Sequence, residues 1–425
     1  MLNLSPSAMT LGLGNVRALL EGLDHPENNF RCVVVAGTNG KGSVTAFLSS
    51  ILSSNGIRTG WYSSPHVYSV NERICVDNVP VDIDRMEEAA SRIAPLHEEI
   101  GYSYFEALTA IAFLVFEKSE VEVAVLETGL GGRFDATNVV EPELTVLTSV
   151  SVDHRRILGD TREEILREKL GITRPGVPLL VGPLSSGLAA VVREKGDRDG
   201  FPVTMIDDLG TVEPVETTFE GSRANVRTKR ADYGTLPLPF IGGHQHANAL
   251  LSISASEYIL DEVRNLVQAS SNTRMPGRFD VVEAGGKRVV LDVGHNDAAL
   301  IAAGEALIGI SPRGSNAMVL GMLQRKDVID FPKRLHEFVS RVYLVEPVTG
   351  ESYTAPALLE SIGIENIRIR GLDVILCGPQ ETDKSVDDFV DCLLHGRQPF
   401  DAVLIAGSHR TVERYGHSLG RKGFL

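Results

Sequence analysis

Val33-Val34-Val35-Ala36-Gly37-Thr38-Asn39-Gly40-Lys41-Gly42-Ser43 joins a β-branched apolar run to a glycine-rich turn, and the turn leads straight into a helical pattern over 44–54. This is the layout of a phosphate-binding loop, in which a buried strand delivers backbone N–H groups and a lysine to a polyphosphate. Glycines 37, 40 and 42 let the backbone approach the phosphates, with Thr38, Asn39 and Ser43 among them, and Lys41 supplies a mobile positive charge. The spacing departs from G-x-x-x-x-G-K-[ST], so the loop is a variant. An ordinary strand–turn–helix connection has no packing reason for a lysine between glycines at a helix start.

Other strand patterns end in polar residues in the same way. Residues 59–62 open into Ser63-Ser64-Pro65-His66, and Pro65 cannot continue a central strand, so the serines stand at its end. Residues 121–126 end in Glu127-Thr128-Gly129-Leu130-Gly131-Gly132-Arg133. A carboxylate there is either a metal ligand beside a phosphate or a solvated loop acid. Residues 144–150 end in Ser151-Val152-Asp153-His154. Ligands of open parallel sheets bind outside the carboxyl ends of the strands. Lys41, Ser64, Glu127 and His154 fall at four such ends, which favours one shared site over four separate loops.

The intervening segments read as helices over 13–23, 84–97 and 104–117. Thr161-Arg162-Glu163-Glu164 is a capping box that starts a helix running to Leu170, with Gly171 as the stop. Lys169 falls in its last turn, where a lysine is ordinarily a solvated base favoured by the helix dipole. Residues 185–240 yield only short strands around 217–226, and Ile241 begins a long apolar helix to about Ala269. The polar run Ser270-Ser271-Asn272-Thr273-Arg274 is the best linker in the chain. Beyond it, strands near 288–291, 317–320, 342–345, 374–376 and 402–405 alternate with helices. Their ends carry Asp292-Val293-Gly294-His295-Asn296 and Gly407-Ser408-His409.

A length of 425 residues makes two domains the expectation. The fold class is α/β: an amino-terminal P-loop NTPase-like, mostly parallel sheet over 1–270 and a smaller Rossmann-like α/β domain over 271–425. A formal net charge of -15 argues against a nucleic-acid or anionic-membrane partner. The four cysteines, Cys32, Cys75, Cys377 and Cys392, have no C-x-x-C spacing, which points to reduced, mostly buried thiols in the cytoplasm. No segment has the apolar length to span a bilayer, and the amino terminus lacks a signal pattern. A monomer is expected.

The ordered set of these motifs resembles the folylpolyglutamate synthase/dihydrofolate synthase family, a branch of the Mur ligase superfamily. The resemblance rests on 36–43, Ser63-Ser64-Pro65-His66, Asn71-Glu72-Arg73-Ile74, Tyr104-Phe105-Glu106 and the run LETGLGGRFDATN at 126–138. It continues through Asp153-His154 with Leu158-Gly159, Arg167-Glu168-Lys169, Met275-Pro276-Gly277-Arg278 and Asp292 to Asn296. The resemblance implies an ATP-dependent amide ligase. A substrate carboxylate, of dihydropteroate or of a folate glutamyl chain, is phosphorylated by ATP, and the amine of L-glutamate attacks the acyl phosphate.

Site roles follow from the resemblance residue by residue. Lys41 and the loop amides hold the β- and γ-phosphates. Ser64 and Glu127 bind a first Mg²⁺, and Glu127 and His154 help hold a second, with Mn²⁺ able to substitute. Lys169 matches a lysine that is carbamylated in the family. Asn248, Arg278 and Asp292 match contacts to ATP, Asp135 and Ala136 contacts to the pterin, and His295 and Ser408 the site near glutamate. Three departures stand out: Leu170 in place of the usual alanine, Gly243 in place of a frequent glutamate, and no arginine over 347–355. The rival readings are another Mur-type ligase, acting on peptidoglycan precursors, and a non-catalytic nucleotide-binding regulator on the same fold.

Overall fold

The computed structural model describes residues 12–324, 328–363, 372–380, 382–396 and 400–425. Eight strands form the first sheet: β1 (Arg31–Ala36), β2 (Thr59–Tyr62), β3 (Ile74–Val76), β4 (Val79–Pro80), β5 (Val123–Glu127), β6 (Leu144–Leu147), β7 (Leu179–Val181) and β8 (Val203–Met205). Their order is β4-β3-β2-β5-β1-β6-β7-β8. β1 lies between β5 and β6 and is parallel to both; β2 extends the parallel set on one side, β7 and β8 on the other. Only β3 runs against the others, pairing antiparallel with β2 and, through a hairpin turned at Asp77 and Asn78 with φ of 49° and 65°, with β4.

The β-branched run of β1 is buried on both faces, as a central parallel strand requires. Alternate residues feed different cores. Val34 and Ala36 pack with Leu126 against the helices Tyr104–Lys118, Ile83–Ile93 and Gly14–Glu21. Val33 and Val35 pack with Val125 and Val146 against Val44 and Leu48 of the helix Lys41–Ser54 and Leu250 and Leu251 of the helix His244–Ile259. A third cluster joins β7 to Ile165 and Leu166 of the helix Arg162–Lys169 and to Val192 of the helix Ser186–Asp199.

β9 (Gly210–Thr218), β10 (Gly221–Thr228) and β11 (Asp232–Leu238) make a separate sheet in the order β11-β10-β9. The remaining six strands are β12 (Arg278–Ala284), β13 (Lys287–Asp292), β14 (Asn316–Leu320), β15 (Arg341–Leu344), β16 (Asp373–Leu376) and β17 (Ala402–Ala406), ordered β12-β13-β17-β14-β15-β16. β12 and β13 are an antiparallel hairpin, and the rest are parallel. Because β17 inserts between β13 and β14, the strand order switches at its end, and the loops after these three strands converge there. The described residues divide into two compact units, one within 12–213, 224–239 and 246–274, the other within 214–223, 240–245 and 275–425. Among the described residues no helix is long and apolar enough to cross a membrane.

Several local expectations change. The long helix expected to run to about Ala269 stops at Ile259, and a second helix, Leu266–Asn272, follows Asn265 in the left-handed conformation. The polar run 270–274 is therefore not an open linker. Ser270 and Thr273 are buried, Ser50 Oγ donates to Ala269 O at 2.7 Å, and Thr273 Oγ1 donates to the same carbonyl at 2.8 Å. Small hydroxyls that satisfy helix carbonyls read like loop residues in sequence. The thiols also divide: Cys32 and Cys75 are buried, with burial pushing both thiols up, whereas Cys377 is half-buried and Cys392 exposed.

Candidate active site

β1 delivers the glycine-rich loop. Gly37 is forced by close approach, since a Cβ there would lie 1.9 Å from Thr148 Oγ1. Gly40 has φ of 85°, and its Cβ would lie 2.5 Å from Asn248 Oδ1, so the glycine admits the side chain of Asn248 against the loop. Lys41 begins the helix that follows. The register pairs Val35 with Glu127, and Thr128 N donates to Val35 O at 3.0 Å. That places the Glu127 carboxylate beside the loop, 3.8 Å from Lys41 Nζ. Glu127 is only 2% exposed, which excludes the solvated loop acid. Ser64 joins the same carboxylate, its N–H 3.3 Å from Glu127 Oε2.

The capping box at Thr161 and Glu164 is present. The helix it starts ends at Lys169, which is 3% exposed and donates from Nζ to Gly37 O at 2.8 Å. This lysine is thus no solvated base. Burial, and next the charge of Lys41, pull it down to about 7, against Asp153 and Asp135. Leu170, one residue on, packs into the apolar cluster of Ile165 and Leu166.

The other expected residues are placed less tightly. His154 stands in the left-handed region with φ of 51° and is 41% exposed, with Nε2 3.8 Å from Asp153 Oδ1. Among the described residues no group of three or more His, Cys, Asp or Glu side chains is arranged to hold a metal ion. Asp135 is turned inward: Leu130 N donates to Oδ2 at 2.8 Å, and Thr137 donates to Oδ1 from its N–H at 3.1 Å and its hydroxyl at 2.7 Å. Burial raises this carboxyl despite those bonds. Its side chain ties the 129–138 loop together, and Ala136 starts the next turn, itself buried. Asp135→Ala should cost about 2–4 kcal/mol, because it strands several buried donors. Urea unfolding at the wild-type midpoint would show that Asp135 is not this anchor.

In the second unit, Asp292 at the end of β13 accepts from Phe279 N at 3.1 Å and Gly294 N at 2.8 Å, and burial pushes it up to about 6 although Arg278 opposes this. Arg278 Nε is buried and finds no partner among the described residues. His295 Nδ1 lies 3.0 Å from Val293 O. Ser408 is buried, accepts from Thr411 N at 3.1 Å and caps the helix His409–Arg421. Gly407 N donates to Gly294 O at 2.9 Å, and Thr411 Oγ1 to Gly321 O at 2.7 Å, so the three loops at the switch point are bonded to one another. Arg414 donates to Pro347 O and Gln380 O.

Sequence reasoning missed Thr148, Ser149 and Ser151, which hold the glycine-rich loop from behind. Three hydroxyls among the four residues 148–151, directly after the apolar end of β6, were the available signal.

Residues 35–256 match the Mur ligase middle domain, and residues 277–409 match the Mur ligase glutamate ligase domain. The chain is 34% identical to the dihydrofolate synthase/folylpolyglutamate synthase of Bacillus subtilis, over 93% of this chain and 92% of that one. Escherichia coli FolC in complex with DHPP and ADP superposes with a TM-score of 0.84 at 28% identity, covering 99% of this chain and 96% of FolC. A bifunctional folylpolyglutamate synthase/dihydrofolate synthase with Mn, AMPPNP and L-glutamate bound gives 0.80 at 27% identity, with the same coverage of both chains. The two matched stretches take in the glycine-rich loop, Glu127 and Lys169 and the six-stranded sheet, and the chain belongs to the dihydrofolate synthase/folylpolyglutamate synthase family of the Mur ligase superfamily.

Proposed function

We propose that the chain is an ATP-dependent ligase that joins L-glutamate to the carboxylate of dihydropteroate, of a folate glutamyl chain, or of both. The observation that carries this is the buried Glu127 carboxylate 3.8 Å from Lys41 in the glycine-rich loop, with Lys169 bonded to the first glycine of that loop. The relatives' ligands, ADP or AMPPNP, Mn and L-glutamate, support the same chemistry.

A carboxylate does not react with amines at neutral pH. Its oxygen therefore attacks the γ-phosphorus of ATP, ADP leaves, and the acyl phosphate acquires a good leaving group. The glutamate amine, as free base, attacks the acyl carbon, phosphate departs, and the nitrogen releases a proton. The amides of residues 37–43 and Lys41 hold the polyphosphate, and Asn248 braces the loop at Gly40. Arg278, with its unpaired Nε, and Asp292 serve the nucleotide, and His295 and Ser408 the glutamate. Asp135 and Ala136 shape the pterin end of the acceptor through the loop they hold. A divalent cation, Mg²⁺ or Mn²⁺, held by Ser64, Glu127, His154 and a carbamylated Lys169, would neutralise charge on the transferring phosphoryl group. The donors fit such an ion only if Lys169 is not an ammonium, and its burial supports that. The two units act as ATP-binding and glutamate ligase domains. The dispersed free cysteines support a cytoplasmic enzyme, which we take to act as a monomer.

Phosphate release from ATP should require an acceptor and glutamate together. Comparing dihydropteroate with a reduced folate monoglutamate assigns one or both additions. Release with neither, or binding of ATP without any release, would replace the ligase with a hydrolase or a regulator.

A further inference from the structure

The segment after β6 holds the glycine-rich loop by hydroxyls that the reaction chemistry does not use. Thr148 Oγ1 donates to Asn39 O at 2.6 Å, and Ser149 Oγ donates to the same carbonyl at 2.9 Å. Asn39 N donates back to Ser149 Oγ at 3.0 Å, and Thr38 N to Ser149 O at 2.8 Å. One step on, Thr38 Oγ1 both donates to Ser151 O and accepts from Ser151 N, each at 3.1 Å. Asp153 and His154 follow directly. Residues 148–151 are thus zipped to 38–39 along their length, and the contact at Gly37 leaves no slack.

We propose that Thr148 and Ser149 are positioning residues that make the glycine-rich loop and the arm bearing His154 move as one piece, so that polyphosphate binding orders that arm. The proposal rests on the nucleotide reading above. The physical reason is geometric. A loop whose amides turn toward phosphates must also reorient its carbonyls, and Asn39 O is the carbonyl on which both hydroxyls bear. Fixing the loop therefore fixes Thr148 and Ser149, and through Ser151 the start of the arm. A merely structural pair would lower stability when cut and leave the arm's response to nucleotide intact.

Thr148→Val keeps the shape and removes the hydroxyl, and Thr148→Ser restores it. Metal-free ATP is titrated calorimetrically into the full chain, and amide hydrogen exchange is followed over 144–158 with and without ATP. In the wild type, ATP should slow exchange across 151–154. In Thr148→Val the ATP affinity should fall about tenfold, and protection of 151–154 by ATP should vanish while that of 144–147 persists. Thr148→Ser should recover both. Ser149→Ala, which removes two of the bonds to Asn39 without touching β6, should reproduce the loss if Thr148→Val does not fold. Wild-type affinity together with undiminished protection of 151–154 in a folded variant overturns the coupling. No ATP binding by the wild type would remove the nucleotide reading itself, and the coupling with it.

Discussion

Lys169→Ala is expected to lose turnover by at least about a hundredfold, the scale on which metal-site supports act, and a short carboxylate such as formate or acetate in excess should restore part of it. Lys169 is 3% exposed and sits beside Lys41, so its ammonium is disfavoured and it is brought down to about 7. At neutral pH a far larger share of it is then free amine than for an ordinary lysine near 10.5, which would be almost wholly protonated. Only the free amine attacks CO₂: the N–C bond forms, an electron pair moves onto oxygen, and the nitrogen loses a proton. A carbamate formed in this way would reverse the sign of the side chain and provide a carboxylate at the end of a long arm. Added carboxylate can fill the space left by the alanine variant for that reason. Wild-type turnover by Lys169→Ala in carbonate-free buffer would remove the residue from the machinery.

The same burial leaves a signature in stability that is independent of turnover. The unfolded chain binds the Lys169 proton more tightly than the folded one, so stability rises with pH between about 7 and 10.5 and the cost is fully present below that window. Lys169→Met removes the cost. Its gain in unfolding free energy over uncarbamylated wild type should be largest at or below pH 7 and shrink as pH approaches 10. A gap that stays constant with pH would mean that Lys169 is not held below its ordinary range.

Much of this was legible in the chain because the signals were local. The apolar run of β1, the glycines after it and the capping box at Thr161 each impose their structure within a few residues. The strand-end rule collected Ser64 and Glu127 around Lys41, since parallel strands deliver their carboxyl ends to one edge. Lys169 was not legible from its neighbours: a lysine in a last helical turn is usually solvated, and only the return of that helix to Gly37 buries it. The resemblance, not periodicity, singled it out. The bonding of Asp135 was hidden for the converse reason, because an acid in a glycine-rich loop looks solvated until its own loop amides are seen to bond it. Arg414 and Thr148 meet partners 67 and 109 residues away, and no local pattern announces such contacts.

Glu127→Gln separates nucleotide binding from phosphoryl transfer. The carboxylate is 2% exposed and lies 3.8 Å from Lys41 Nζ, so in the absence of metal it competes with phosphate for the same cation. Removing its charge frees Lys41, and metal-free ATP should bind as tightly as to the wild type or more tightly. With Mg²⁺ the order reverses. Wild-type affinity should rise on adding the metal, whereas the variant should show little gain, because a neutral amide is a poor ligand for a hard dication. Turnover should fall by at least about a hundredfold, since the charge that builds up during transfer is no longer neutralised where it forms. Glutamine matches glutamate in shape and can still accept from Ser64 N, so the loop and β5 keep their register and the loss is not one of folding. Metal-dependent ATP binding and turnover equal to the wild type would show that Glu127 is only the counter-ion of Lys41, and the metal would then have to be held without it.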